Sequence, residues 1–387
     1  MIYNFAFAAF VLCGSGTEPV VEYAADGKVF RRYHITEEGI LEGLFIEYHP
    51  NGRIKLRARY RKGRLHGLYE RFDKQGRPTS TSLYIEGTLA YPLLRKQVEA
   101  QLRKLRSVSA PKVFDQNPRA SPPYRAGRLS APTVQNALVH LKRYRFLCGL
   151  PYEDLSIKPD YAQAAQHAAV LLAVLGRLDH QPPKPHGMPQ DFYALAKRGC
   201  MRSNLYVGTA GLIGAIDGFM YDSDPKNIQH LGHRRWLLNP PMLFTGFGLC
   251  GSFAVVYAHD SSRRPVPKFD FIPFPPRGFI PGRFITPGHA WSVSLNPKLY
   301  EVPKKTGELR IKVIPLDRRL KPVDSPLQLE RVNVSRMPYG VPLCVIFRPR
   351  FKAGLYGRRF LVDIPGIKVK AKDAPHVRYY VEIGGKD

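Results

Sequence analysis

A glycine pattern that recurs through the first quarter of the chain limits what that part can fold into. Gly39-Ile40-Leu41-Glu42-Gly43 returns as Gly63-Arg64-Leu65-His66-Gly67 and, altered, as Gly87-Thr88-Leu89-Ala90-Tyr91. Between them lie Tyr48-His49-Pro50-Asn51-Gly52 and Phe72-Asp73-Lys74-Gln75-Gly76, with an earlier copy at Tyr23-Ala24-Ala25-Asp26-Gly27. The spacing from Gly43 to Gly67 is 24 residues, a period typical of stacked repeats. Asn51-Gly52 and Gln75-Gly76 offer the positive φ that hairpin turns need. Leu44-Phe45-Ile46-Glu47-Tyr48 alternates as a strand does. Residues 20–90 are therefore expected to form a β-hairpin array.

These units resemble MORN repeats of the bacterial type, with a tyrosine and Asn-Gly in each unit. The resemblance implies a curved hairpin array that serves contact with protein or membrane and carries no chemistry of its own.

Ahead of the array, Phe5-Ala6-Phe7-Ala8-Ala9-Phe10-Val11-Leu12 runs into Gly14-Ser15-Gly16. That has the length of a secretory leader with a cleavage site and is too short to span a bilayer. Residues 1–16 read as a signal peptide, or else as a buried N-terminal strand. Export would leave Cys148, Cys200, Cys250 and Cys344, which could pair as two disulfides in any of three ways. No CxxC occurs, which argues against a zinc knuckle or a thioredoxin-type site.

At 387 residues and 44% hydrophobic content the chain can build two or three cores. Its net charge of +28 is spread along the whole length. Such a balance fits work beside anionic material, such as a cell envelope or lipid head groups. It fits equally a general basic bias on a solvated surface. Nucleic acid rests on charge alone, because no helix-turn-helix, paired RNP aromatics or OB-like pattern is present.

Leu94, Val98, Leu102 and Leu105 share one face of a basic helix expected within 91–109. It would cap the array or lie on a membrane. Residues 110–132 are rich in Pro, Ser and Arg and read as a linker, so 91–130 joins the array to the central part of the chain.

Residues 131–262 hold the candidate chemistry. A helix starts at Pro132 and runs to Gly149-Leu150-Pro151. A second, capped by Asp160 with Gln163 as its partner, carries Ala164, Ala165 and Ala168 and ends near Gly176, delivering Leu178-Asp179-His180. A helix over 191–198 should stop at Gly199. Next come Arg202-Ser203-Asn204, a helix over 210–221, and Leu231-Gly232-His233-Arg234-Arg235-Trp236-Leu237-Leu238-Asn239-Pro240. Strands are expected over 244–250 and 253–259.

Gly149-Leu150-Pro151, Leu178-Asp179-His180, Gly232-His233-Arg234-Arg235-Trp236-Leu237-Leu238-Asn239-Pro240 and Gly246-Phe247-Gly248, in that order, resemble a CAP domain. This is the SCP/TAPS family of pathogenesis-related, antigen-5 and cysteine-rich secretory proteins, here in bacterial form. The resemblance implies an α+β protein whose central part is a secreted α-β-α sandwich. It also implies a cleft in which two histidines and two acidic residues can hold a divalent metal such as Zn²⁺.

His180 and His233 match the two histidines. The family's Gly-Glu-Asn falls on Arg202-Ser203-Asn204, so Ser203 replaces a glutamate. Asp222 is a loose counterpart of the second acid, which makes His180, His233 and Asp222 the candidate metal set. A firm zinc site wants a third protein ligand, and hydrolysis wants a carboxylate near the reacting proton. Hence His180 and His233 either face a ligand or hydrogen-bond structurally, and Asn204 either fixes a turn or hydrogen-bonds the cleft backbone. Arg234 and Arg235 are either an anion clamp at the cleft mouth or partners of Asp217, Asp222 or Asp224. His230 and His259 read as ordinary surface or strand residues.

Beyond 262, an aromatic and proline strap from Phe269 to Pro287 precedes period-2 runs at 291–295, 309–313, 344–347, 360–364 and 379–383. Residues 263–387 are thus expected to form a small β-sandwich for surface or glycan contact. The expected function is non-catalytic binding of a lipid or anionic cell-envelope ligand near His180 and His233, with protein contacts through the β repeats. The alternative is a metal-dependent hydrolase using the same cleft.

Overall fold

The computed structural model describes residues 16–91, 94–318, 320–352, 354–371 and 374–386. The expected leader, with Cys13, therefore lies outside the described residues except for Gly16. Among the described residues no helix is long and apolar enough to cross a membrane.

The repeats form one seven-stranded antiparallel sheet in chain order. Its strands are β1 (Thr17–Tyr23), β2 (Val29–Thr36), β3 (Gly43–Tyr48), β4 (Ile54–Arg61), β5 (Arg64–Phe72), β6 (Pro78–Ile85) and β7 (Thr88–Tyr91). The two predicted turns and the earlier copy of the motif close identically. Backbone bonds join Ala24 to Lys28, His49 to Arg53 and Asp73 to Arg77, with Gly27, Gly52 and Gly76 at positive φ. The glycines of the second motif act between units: Gly63 N–H donates to the Leu41 carbonyl and Gly87 N–H to that of Leu65. Along one face the rings of Tyr33, Phe45 and Tyr60 follow one another at 5.8 Å.

Helix α1 (Arg95–Lys104) is shorter than the expected segment. Val98 and Leu102 are buried in the protein's main core, so this face packs inside the molecule and is not free for a membrane. The linker holds a small ladder, β8 (Phe114–Gln116) with β9 (Arg128–Leu129).

The central part is a sheet with helices on both faces. Its elements are α2 (Ala131–Leu147), β10 (Ser156–Ile157), α3 (Pro159–Leu175), α4 (Gln190–Met201), β11 (Ser203–Val207), α5 (Gly211–Tyr221), α6 (Gly232–Leu237), β12 (Phe244–Cys250) and β13 (Phe253–Tyr257). The strand order is β10-β12-β13-β11. Successive residues of β13 feed opposite layers: Val255 joins Ala164, Ala165 and Ala168 of α3, whereas Ala254 and Val256 join Phe219 and Met220 of α5. The alanine face allows the close approach, and three glycines complete it. A Cβ on Gly199, Gly246 or Gly248 would stand 2.1–2.3 Å from backbone atoms of α3.

Gly199 therefore lies inside α4 and does not end it, because that helix needs a residue without a side chain where it crosses α3. Asp160 is likewise not the cap of α3. Lys158 holds that position with Pro159 next, and Asp160 sits in the first turn.

The C-terminal part contains β14 (Phe271–Phe274), β15 (Gly278–Ile280), β16 (Trp291–Leu295), β17 (Tyr300–Glu301), β18 (Lys312–Leu316), β19 (Leu329–Ser335), β20 (Cys344–Pro349), β21 (Arg359–Asp363), β22 (Lys368–Val369) and β23 (Arg378–Ile383). Two four-stranded sheets result, β14-β16-β20-β19 and β15-β23-β21-β18. The expected strap is split between them, β14 going to one and β15 to the other. Rings from the two sheets meet, Trp291 with Phe360 at 5.6 Å and Phe271 with Tyr379 at 6.0 Å. The strand expected at 309 starts only at Lys312, after a 3₁₀ turn over Thr306–Glu308. The array docks here, with Ile85 against Leu316, Leu361 and Tyr380 and Arg378 3.4 Å from Glu86.

Among the described residues Cys148, Cys200, Cys250 and Cys344 are buried free thiols, which corrects the expected disulfides. They behave as small core residues. Burial pushes the Cys148 and Cys200 thiols up to about 12.

Gly248→Ala should lower stability by ~3 kcal/mol, since a methyl there forces α3 away from the sheet. Gly251→Ala, with nothing within 4 Å of its Cβ but φ +56, should cost about 1 kcal/mol. Urea denaturation of both variants checks the contrast, and equal losses would contradict the packing account.

Candidate functional site

The two predicted histidines arrive from different elements. Helix α3 ends on Gly176 in the left-handed conformation, and the chain turns to place His180 against the end of α4. There its Nδ1 lies 2.8 Å from the Cys200 carbonyl. A carbonyl only accepts, so Nδ1 carries the proton. His233 sits in the first turn of α6, with Nδ1 2.8 Å from Asp222 Oδ1. Asp222 closes the C-terminus of α5 in the left-handed conformation, φ +42, and its side chain is 1% exposed. Its other oxygen accepts from the Arg234 N–H at 3.2 Å. Nε2 of each ring is left without a bond to the described residues.

Asn204 on β11 donates through Nδ2 to the His233 carbonyl at 2.9 Å, tying strand to helix as expected. Its neighbour Ser203 is fully buried, and its hydroxyl finds no partner among the described residues. Phe219 of α5 stands 5.2 Å from the His233 ring.

A third imidazole, that of His259, lies within electrostatic reach of the first two. The pairing of β11 with β13 sets Tyr257 opposite Ser203, and His259 N–H then bonds the Arg202 carbonyl at 3.1 Å. Its ring stacks on Trp236 with centroids 4.0 Å apart. Burial, then the nearby charges of His180, Arg202 and His233, lower its pKa to about 4. The reading of His259 as an ordinary strand residue is therefore corrected. Only the register across β11 and β13 reveals its place, and nothing in its local sequence does. His230 stands apart, with Nδ1 3.1 Å from Ser335 Oγ.

Arg234 and Arg235 are not a clamp at the cleft mouth, for both are almost fully buried. Nor do their guanidiniums pair with Asp217, Asp222 or Asp224. Arg234 donates to the carbonyls of Met220, Tyr221 and Ala290 and to Ser292 Oγ, with its guanidinium 4.7 Å from the Phe274 ring. Burial lowers its pKa to about 10, which leaves it charged at neutral pH. Arg235 donates to the carbonyls of His230, Met337 and Val341 and to Ser335 Oγ. The pair thus fastens α6 to the C-terminal strands.

The donor set does not fit Zn²⁺. His180 and His233 could each offer Nε2, but Asp222 lies behind His233 as an orienting carboxylate and Ser203 offers only a buried hydroxyl. Among the described residues no three His, Cys, Asp or Glu side chains stand close enough to share an ion. The candidate set of His180, His233 and Asp222 is corrected accordingly: two imidazoles and a carboxylate already engaged fall short of a firm site.

Comparison with protein-family models, with curated proteins and with solved structures finds no match to this chain.

His259 is neutral in the fold, whereas an unfolded histidine titrates near 6.5. Below that pH the unfolded chain takes up a proton that the folded protein refuses. Stability is whole above about 6.5 and falls as the pH drops toward 4. His289, held to about 3 mainly by burial, adds to the fall. Denaturant titrations should show His259→Gln removing ~2–3 kcal/mol of the loss between pH 7 and 4. An unchanged pH slope in that variant would contradict the assigned environment.

Proposed function

We propose that residues 131–262 are a CAP-type domain of an exported protein, and that its cleft at His180, His233 and His259 binds a lipid or other anionic cell-envelope component without turning it over. One observation carries the reading: the carboxylate hydrogen-bonded to His233, Asp222, is buried and already spent on that ring and the Arg234 N–H. That leaves rigid hydrogen-bonding rings beside Phe219 and Trp236, while the carboxylate tied to His233 is already engaged and not free to move a proton at a bound substrate. The α-β-α layering agrees with the resemblance.

Charge is divided among the modules in a way that supports the envelope setting. Residues 263–387 hold 25 Lys and Arg against 10 Asp and Glu, a net +15 of the chain's +28. The C-terminal module is the part that meets an anionic surface, and the MORN-like array presents its strands to protein partners. The second reading, hydrolysis, draws on the Asp222–His233 pair, since a buried carboxylate on Nδ1 leaves Nε2 basic.

Vesicles containing fluorescent phosphatidylglycerol test both readings. The protein should leave carrying about one lipid per chain and no cleavage product. His180→Ala/His233→Ala should carry less than about a tenth as much, a loss equal to ~1.4 kcal/mol or more. Protein that stays empty overturns the binding reading. A lipid-cleavage product that disappears in the double variant replaces it with the hydrolase.

A further inference from the structure

Away from the histidines, a cavity of about 940 Å³ opens where the three parts of the chain meet. Volumes of roughly 300–1,000 Å³ are usual for small-molecule sites. One wall is the segment from Phe146 to Asp154 at the end of α2, and the opposite wall is the strap from Pro267 to Pro273 with Phe279. Val98 of α1 and Leu89 of β7 complete the lining. Phe271, Ile272, Phe279 and Leu150 are buried core residues, so the walls are fixed by the packing behind them.

The charges on this lining are nearly all engaged. Arg263 grips Asp154 with both terminal nitrogens. Arg277 pairs with Asp270 and lies 4.0 Å over the Phe271 ring. The Glu153 carboxylate accepts from the Tyr152 hydroxyl at 3.2 Å. Lys268 differs: it is exposed on the strap, and no described carboxylate pairs with it.

An apolar body with one uncommitted ammonium at its edge matches a single-chain amphiphile with an anionic head. We propose that this junction cavity binds a long-chain carboxylate, its chain against Leu150, Phe269 and Phe279 and its head on Lys268. The site is separate from the histidine cleft. Because its walls come from the array, the central part and the strap, a ligand in it contacts all three.

The full-chain protein is titrated with oleate below its micelle concentration, by calorimetry and native mass spectrometry. One oleate per chain is expected. Leu150→Trp, which fills the cavity, and Lys268→Glu, which reverses the head-group charge on an exposed residue and leaves the fold intact, should each weaken binding about tenfold or more. His180→Ala/His233→Ala should bind oleate as the parent does. Hexadecyltrimethylammonium should bind the parent more weakly than oleate and gain affinity in Lys268→Glu. Failure of oleate to bind one-to-one overturns the proposal, as does binding that Lys268→Glu leaves unchanged. Tighter binding of the cationic amphiphile to the parent overturns the assigned head group.

Discussion

The Asp222 side chain is 1% exposed and spends both oxygens inside the protein, one on the His233 ring and one on the Arg234 backbone. A buried carboxylate is tolerated only when its lone pairs are met, so the end of α5 and the start of α6 must stay in one arrangement. Arg234 secures the same corner from the other side, since its guanidinium takes the last carbonyls of α5, Met220 and Tyr221. Those groups would otherwise be orphaned at a helix C-terminus. The orientation of His233 is therefore a consequence of how two helix ends are closed.

That corner also decides how the central part sits on the C-terminal sheets. The carbonyls that accept from Arg234 and Arg235 include Ala290, Met337 and Val341, far along the chain. Arg145 repeats the device within the central part, donating to the carbonyls of Pro151, Leu237 and Asn239. A guanidinium suits this work because its rigid fork of donors can satisfy several carbonyls at once. Removing one would leave both an empty volume and several unmet acceptors, each costing about 1–3 kcal/mol. The modules form one body through buried arginine–carbonyl contacts and the apolar cluster around Ile85, and the junction cavity is the space these contacts leave.

What could be read from the residues was mostly local. The Asp26-Gly27, Asn51-Gly52 and Gln75-Gly76 turns come from backbone sterics at those positions, and the alanine face of α3 comes from helical spacing. Gly199 misled because a glycine near a helix end looks like a stop. Its reason is the α3 backbone, 35 residues earlier at Ala164. The same limit governed the site. His180, His233 and Asn204 could be singled out, and the structure ties Asn204 to the His233 backbone and sets both histidines within electrostatic reach of His259. The third imidazole, His259, depends on strand register, and the buried state of Arg234 and Arg235 depends on carbonyls that include those of two distant loops, at Ala290 and at Met337 and Val341. Charge alone cannot tell a guanidinium surrounded by carbonyls from one in an ion pair.

The central claim is that His180 and His233 are fixed imidazoles, each donating Nδ1–H to its acceptor and leaving Nε2 unbonded to the described residues. Long-range ¹H–¹⁵N spectra of the histidine side chains test it directly, with assignments from single His→Gln variants. His180 and His233 should both show the Nδ1–H tautomer at pH 8, and Asp222→Asn should release His233 alone. A dominant Nε2–H tautomer at either residue, or an Asp222→Asn spectrum unchanged at His233, would contradict the account.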